Sequence, residues 1–139
     1  MKYFVLSLIF ATQTCKQLPF SVLIYRIKAT TSSNDSLVCF IEYEANAIHY
    51  PDTNLPLVKP FKRLVRKDIP YYLDRKDENG KWEEYIASLP ADTLSVFFLD
   101  AKVFADSSWQ TIRDKYLVLK RFDLSAEQLK NLNFTINYP

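Results

Sequence analysis

The amino-acid sequence predicts a mainly β fold, an antiparallel β-sandwich-like domain of about six or seven strands with two or three short helices. Aromatic residues make up 15% of the 139 residues, and aromatic side chains are enriched in strands. Short apolar runs with alternating polarity recur along the chain, separated by polar turn signals. Strand and helix patterns do not alternate regularly, which argues against a parallel sheet built from β-α-β units.

The first two strands are predicted at 20–29 and 36–44, and together they form a β-hairpin. The first strand is rich in β-branched and aromatic residues. In the second, alternate apolar residues share one face: Leu37, Cys39, Ile41 and Tyr43. The polar segment 30–35 between them is typical of a turn.

Prolines interrupt the middle of the chain. Pro56, Pro60 and Pro70 prevent long regular strand pairing. Only short edge strands are therefore predicted there, near 62–65 and 70–73. Turn signals flank this region at 50–53 and 74–80.

Two short helices are predicted from apolar spacing, at 81–89 and 106–116. Their apolar residues are Trp82, Tyr85, Ile86 and Leu89 in the first and Trp109, Ile112 and Tyr116 in the second. The second helix begins at a capping residue within 106–108. Ser125 and Gln128 form a capping box that opens a third helix. Because each Trp lies on the apolar face of its helix, we expect both to pack in the core.

The remaining strands are predicted at 93–99, 116–122 and 134–138, with the first of these in the centre of a sheet. No internal repeat or linker divides the chain. Residues 20–139 are therefore expected to form a single β-rich globular domain.

The first fifteen residues, 1–15, are predicted to be a signal peptide that ends at a candidate lipid-attachment residue, Cys15. Lys2 supplies a positive charge, and the apolar stretch 3–11 has the length of a signal-peptide core but is too short to span a bilayer. A hydrophobic leader that ends at a Cys is typical of bacterial lipoproteins. An ordinary secretory leader cut elsewhere, or an N-terminal core strand, are the alternatives.

Cys39 is the other of the two cysteines. It lies inside a strand pattern, and free cysteines are commonly buried. We therefore predict a buried free thiol on the core face with Leu37 and Ile41. A Cys15–Cys39 disulfide in an oxidising compartment is the alternative.

The counts of Gly and His, one each, exclude several classes of protein. One Gly cannot build a G-x-G-x-x-G turn, a P-loop or a G-x-S-x-G elbow, and one His excludes multi-histidine metal sites. The net charge of +2 gives no basic excess of the kind that nucleic-acid binding requires. No catalytic residue, metal or cofactor is predicted, and nucleic acid is not an expected partner.

Two weaker chemical alternatives follow from the sequence. Cys39 and His49 would provide a nucleophile and a base, but burial makes a thiol inert. The carboxylates of Asp74, Asp77 and Glu78 would provide a weak calcium site. An EF-hand is rejected because its register does not place carboxylates at both ends of the loop.

Five cations lie within nine residues. They are Lys59, Lys62, Arg63, Arg66 and Lys67. Such a patch is a possible anion or lipid surface, able to contact phosphate, anionic lipid head groups or an acidic glycan. The alternative is a solvated edge strand, whose charges prevent edge-to-edge pairing.

Several segments together resemble a family of small uncharacterised lipoproteins of Bacteroides-type bacteria. The segments that carry the resemblance are 49–53, 92–98, 108–112, 119–125 and 132–139, which read HYPDT, DTLSVFF, SWQTI, LKRFDLS and LNFTINYP. The resemblance covers most of the chain from about residue 20 onward. It implies a location in the cell envelope and no particular activity. Members usually have leaders ending in Ser-Cys, whereas this chain has Thr14-Cys15.

The expected function is that of a non-enzymatic cell-envelope lipoprotein domain that acts by protein or ligand contact. The alternative is a carbohydrate-binding accessory module that uses exposed aromatic side chains. The candidate aromatic residues are Tyr71, Tyr72, Trp82 and Trp109. The expected partners are an unknown protein or a glycan, with a membrane reached through the lipid anchor. The expected location is periplasmic or on the cell surface, with secretion as the alternative.

Overall fold

A computed structural model describes residues 26–41, 54–73 and 80–139 of the chain. Within them lie seven β-strands and four short α-helices. The strands are β1 (Ile27–Thr31), β2 (Leu37–Ile41), β3 (Leu64–Val65), β4 (Tyr71–Leu73), β5 (Leu94–Asp100), β6 (Lys120–Leu124) and β7 (Thr135–Tyr138). The helices are α1 (Trp82–Ala87), α2 (Ala101–Asp106), α3 (Trp109–Asp114) and α4 (Ala126–Asn131). The predicted mainly β fold is confirmed.

The described strands form two sheets. The four-stranded sheet has the order β3-β2-β5-β6 and is antiparallel throughout, with Phe40 opposite Phe97. The three-stranded sheet has the order β4-β1-β7, in which β1 pairs antiparallel with β4 but parallel with β7. The predicted central strand is β5, and the predicted short edge strands are β3 and β4, each at the edge of its sheet.

The predicted hairpin between the first two strands is wrong, because β1 and β2 belong to different sheets. All five residues of β2 are buried, so this strand needs a sheet that is covered on both faces. β1 alternates buried residues with the half-buried Lys28 and Thr30, which suits a sheet with one face toward solvent. Thr31 accepts a hydrogen bond from the Ser33 N–H where the chain leaves β1.

The four-stranded sheet is the middle layer of the domain. One face, with Cys39, Val96 and Phe98, packs against the three-stranded sheet and the helices α1 and α4. The other face packs against α2, α3 and Leu55. The side chains that line this second face are Val38, Phe40, Phe97 and Leu99. Two apolar cores therefore share one sheet.

The helices match the sequence pattern in three places and differ in one. α1 buries Trp82 and Ile86, as its spacing predicts. The capping box at Ser125 opens α4, since the Ser125 hydroxyl accepts from the Gln128 N–H and the Gln128 side chain accepts from the Ser125 N–H. α3 begins after Ser108, whose hydroxyl accepts from the Thr111 N–H.

The difference is α2, a helix that the sequence pattern does not predict. Asp100 ends β5 and caps α2, accepting hydrogen bonds from the Lys102 and Val103 N–H groups at 2.8 Å. The second predicted helix also ends earlier than expected. Tyr116 has φ 46° and is exposed, so it does not lie on the buried face of that helix.

The C-terminal strands are shifted slightly along the chain from their predicted positions. β6 covers Lys120–Leu124 rather than 116–122, since Leu117 and Val118 instead pack on the core beneath α2 and α3. β7 lies within the predicted strand at 134–138. The leader 1–15 with Cys15, the segment 42–53 with His49, and residues 74–79 lie outside the described residues.

Candidate functional site

Residues 54–63 form a loop, and α3 hydrogen-bonds to the start of this loop. The side chain of Leu55 is buried in the core beneath α2 and α3. The Leu55 carbonyl accepts a hydrogen bond of 3.1 Å from Nε of Arg113, and the Pro56 carbonyl accepts one of 2.9 Å from Nε1 of Trp109. These two backbone groups would otherwise need water, so the bonds fix the path of the chain.

Lys59 holds the middle of the 54–63 loop to α2. Its Nζ donates a hydrogen bond of 2.9 Å to the Phe104 carbonyl and lies 4.4 Å from the centroid of the Phe104 ring. The Phe104 carbonyl is in the last turn of α2, where carbonyls lack partners within the helix. The ammonium group therefore donates to a carbonyl at the end of the helix and also makes a cation–π contact.

The apolar side chains on either side of Lys59 point to solvent. Leu57 is 65% exposed, Val58 60% and Phe61 85%. Single exposed apolar residues are normal, but three large ones within five residues are a concentrated patch. The sequence does not predict this patch, because the segment is apolar without the periodicity of a strand or a helix. The sequence feature that could have indicated the patch is the mixture of apolar residues with Pro56, Pro60 and several cations.

The five predicted cations are distributed over the loop and the turn that follows β3. Lys59 and Lys62 flank Phe61, and both are exposed. Arg63 is half-buried, with its guanidinium 5.9 Å from the centroid of the Tyr71 ring. Lys67 is exposed and donates a hydrogen bond to Asn34.

Arg66 completes the set at a tight turn. Its backbone bridges to that of Ile69, and between them Asp68 has φ 62°, a left-handed conformation that Asp tolerates. Arg66 and Lys67 are therefore at the far end of β3 from Phe61. From residue 54 to residue 67 the sequence has five cations and no Asp or Glu.

Ser95, Arg121 and Asp123 form a second polar cluster, on the face of the four-stranded sheet that packs on α2 and α3. Ser95 is 4% exposed, and its hydroxyl donates a hydrogen bond of 2.7 Å to Asp123 and accepts one of 3.0 Å from Arg121. Nε of Arg121 donates to the same Asp123 oxygen at 2.7 Å. Each group thus has its partner within the cluster.

Two opposing effects act on the pKa of Arg121. Burial lowers it, but the hydrogen bonds and charges of Asp123 and Tyr116 outweigh burial and hold the pKa above its usual value. A permanently charged guanidinium cannot act as a base. The cluster links β5 to β6 by hydrogen bonds, and its groups are not arranged as an activated nucleophile.

Cys39 is a free thiol on the core face with Leu37 and Ile41, as predicted. It is 0% exposed, and burial raises the pKa of its thiol far above the usual range, while the nearby charge of Arg63 lowers it to a smaller degree. A protonated, buried thiol is a poor nucleophile.

The four candidate sugar-stacking residues have different environments. Trp82 is 1% exposed, so it packs in the core as expected. Trp109 is half-buried and packs against the rings of Phe40 and Phe104, each 6.1 Å away. Tyr71 is half-buried, and Tyr72 is 44% exposed on the outer face of the three-stranded sheet.

Residues 26–41, 54–73 and 80–139 contain no group of three or more His, Cys, Asp or Glu side chains that could hold a metal ion. In the same part of the chain, no helix combines the length and the hydrophobicity that crossing a membrane requires. Comparisons of the chain with protein-family models, with curated proteins and with solved structures find no match.

Proposed function

We propose that this chain is a non-enzymatic domain of the cell envelope that acts by contact, with the 54–63 loop as its contact surface. The observation that carries the proposal is the exposure of Leu57, Val58 and Phe61 on a loop that is itself held in place. Exposed apolar patches on soluble domains mark interaction sites. The resemblance to lipoproteins supports the envelope location, with Cys15 as the lipid-attachment residue.

The anchoring of the 54–63 loop supports a role in binding. Four contacts restrain it: the buried Leu55 side chain and the bonds from Arg113, Trp109 and Lys59. A loop that is already ordered loses little conformational entropy when a partner binds. The fixed backbone therefore presents the apolar side chains ready for contact.

The polar cluster of Ser95, Arg121 and Asp123 supports a non-enzymatic role. Hydrogen bonds within the cluster join the two strands that carry Ser95, Arg121 and Asp123. The hydrogen-bonding groups of these side chains therefore stabilise the sheet. Burial keeps the Cys39 thiol protonated. These groups do not have the environment of a nucleophile or a general base.

The test of this proposal is retention on isolated bacterial envelopes that keep their lipids, proteins and glycans. All variants carry Cys15→Ser, so that no acyl chain contributes. We expect Phe61→Ser to lose most of the retention without lowering the melting temperature, because Phe61 is 85% exposed. Leu132→Ser, at an exposed residue after α4, is the matched control and should be retained normally. Equal retention of both variants would contradict the proposal.

A carbohydrate-binding role is the second candidate, and Tyr72 is the observation that favours it. This ring is on the outer face of the three-stranded sheet, opposite Lys28 in register. Thr30 and Asn137 share that face, and the Thr30 hydroxyl donates to the Asn137 side chain at 3.0 Å. An aromatic ring can stack on a sugar while the polar groups beside the ring hydrogen-bond the sugar hydroxyls. Loss of envelope retention by Tyr72→Ala, with Phe61→Ser unaffected, would favour this role.

A further inference from the structure

We infer that the partner of the 54–63 loop is an anionic lipid bilayer, into whose interface Leu57, Val58 and Phe61 insert. This inference rests on the proposed function and names its partner. Membrane-surface binding of this kind combines two sources of affinity: burial of apolar side chains at the head-group boundary and attraction of cations to anionic lipids.

The charges of the segment complement such a surface. Five cations and no acidic residue lie between residues 54 and 67. Lys62 directly follows Phe61 on the loop, and Lys59 lies two residues before it. When the Phe61 ring enters the acyl region, the Lys62 ammonium group remains at the depth of the lipid phosphates, because a long Lys side chain extends toward the polar layer.

The placement of the apolar side chains also favours a bilayer over a protein pocket. Phe61 is 85% exposed, so its ring stands away from the domain, and it makes no aromatic contact among the described residues. A bilayer accepts separate protruding side chains without matching their shape, whereas a protein partner needs a complementary cavity for each.

The anchors of the loop determine how deeply it can enter the bilayer. Lys59 donates to Phe104, and Trp109 donates to Pro56, so the loop stays on the protein at its start and at its middle. Leu57 and Val58 between these anchors, and Phe61 beyond Lys59, are the exposed side chains that can leave water. The expected mode is therefore shallow attachment to one leaflet, not a span of the membrane.

The first experiment measures insertion at a single position of the full chain. Phe61→Trp and Leu132→Trp are compared on vesicles of equal parts phosphatidylglycerol and phosphatidylethanolamine that contain brominated acyl chains. We expect the bromines to quench the emission of Trp at position 61 but not at position 132. A lipid anchor or a leader would hold both variants alike, so the difference reports the loop itself. Equal quenching at the two positions, or no quenching at position 61, would overturn the inference.

The second experiment measures binding to the same vesicles by sedimentation, in the Cys15→Ser background. Phe61→Ser should bind about tenfold to a hundredfold more weakly, the value expected for loss of one buried aromatic side chain. Lys62→Gln combined with Lys67→Gln should also weaken binding, and raised salt should weaken it further. Lys130→Gln, on α4, is the charge control. Binding that is as strong to phosphatidylcholine vesicles would overturn the anionic part of the inference.

The envelope experiment separates this inference from the proposed function. If Phe61→Ser loses envelope retention but the unsubstituted loop does not bind protein-free vesicles, the contact domain stands and the lipid partner is wrong. The occupant would then be an envelope protein or an acidic glycan. If neither assay depends on Phe61, both proposals fail.

Discussion

Cys39 shows how position alone can decide what a side chain does. Its neighbours on β2 are Val38 and Phe40, and Phe98 is opposite it on β5. The side chain is 0% exposed between the two sheets. In this place the thiol acts as a small apolar group, which the alternating pattern of the strand already indicated.

At this scale we predict an effect of alkaline pH. In the unfolded chain the Cys39 thiol ionises near its ordinary pKa of about 8.5, whereas burial raises its pKa in the folded chain. The folded state therefore binds the proton more tightly. Its stabilising effect is complete below about pH 8.5 and is lost as the pH rises further, by at most about 1.4 kcal/mol per pH unit.

The measurement is the free energy of unfolding in urea, for the unsubstituted chain and for Cys39→Ala, at several pH values above and below about 8.5. Cys39→Ala is less stable throughout because it leaves a cavity, but its stability should fall less steeply as the pH rises. Parallel pH profiles for the two proteins would show that the thiolate is tolerated in the fold.

At the scale of elements, the starts of two helices were easier to predict than the partners of the strands. Ser108 and Ser125 act within three residues of their own positions, so the sequence carries the whole signal. α2 was missed because Asp100 ends a strand and caps a helix with no residue in between. The strand pattern hid the start of the helix.

Asp100 provides a prediction for this element. Asp100→Ala removes the acceptor of two N–H groups, so it should lower the free energy of unfolding by about 1–2 kcal/mol. Asp106→Ala, at the last residue of α2, is the control. It removes a negative charge from the wrong end of the helix dipole and should leave stability unchanged or slightly higher. The two variants are compared by thermal unfolding, and an equal loss would contradict the capping role.

The edge positions of two strands were predictable, but the pairing partners of the strands were not. The edge positions of β3 and β4 followed from the prolines around them. The predicted hairpin failed because the pattern of β2 shows that both faces are buried but cannot name the strands beside it. The solvent exposure of side chains on the 54–63 loop was equally unpredictable from the sequence, since tertiary contacts with Trp109 and Arg113 decide which of its residues face solvent.

At the scale of the whole molecule, the four-stranded sheet couples two cores. Ile136 on β7 is packed in the core between the sheets, whereas Trp109 packs on the opposite face of the four-stranded sheet. β5 contributes side chains to both cores. A shared central strand makes it hard for one core to melt while the other stays intact.

We therefore expect Ile136→Ala to destabilise both cores together. Ile136 is 1% exposed, and its truncation should cost about 2–5 kcal/mol. The loss should appear at the same urea concentration by circular dichroism and by tryptophan emission. Asn137→Ala, on the solvent side of the same strand, should change stability by no more than about 0.5–1 kcal/mol. Two separate transitions for Ile136→Ala would show that the cores unfold independently.

The parallel pairing of β1 with β7 also has a consequence for how the molecule is made. Thr30 contacts Asn137 across 107 residues of sequence, so this ladder closes a very long loop. A chain that emerges from the ribosome with β1 first must wait for β7 before its three-stranded sheet is complete. Throughout that interval one edge of β1 is open to pairing with other chains. The order of synthesis thus makes the nascent protein depend on rapid folding, or on protection by other factors, until β7 is available to pair with β1.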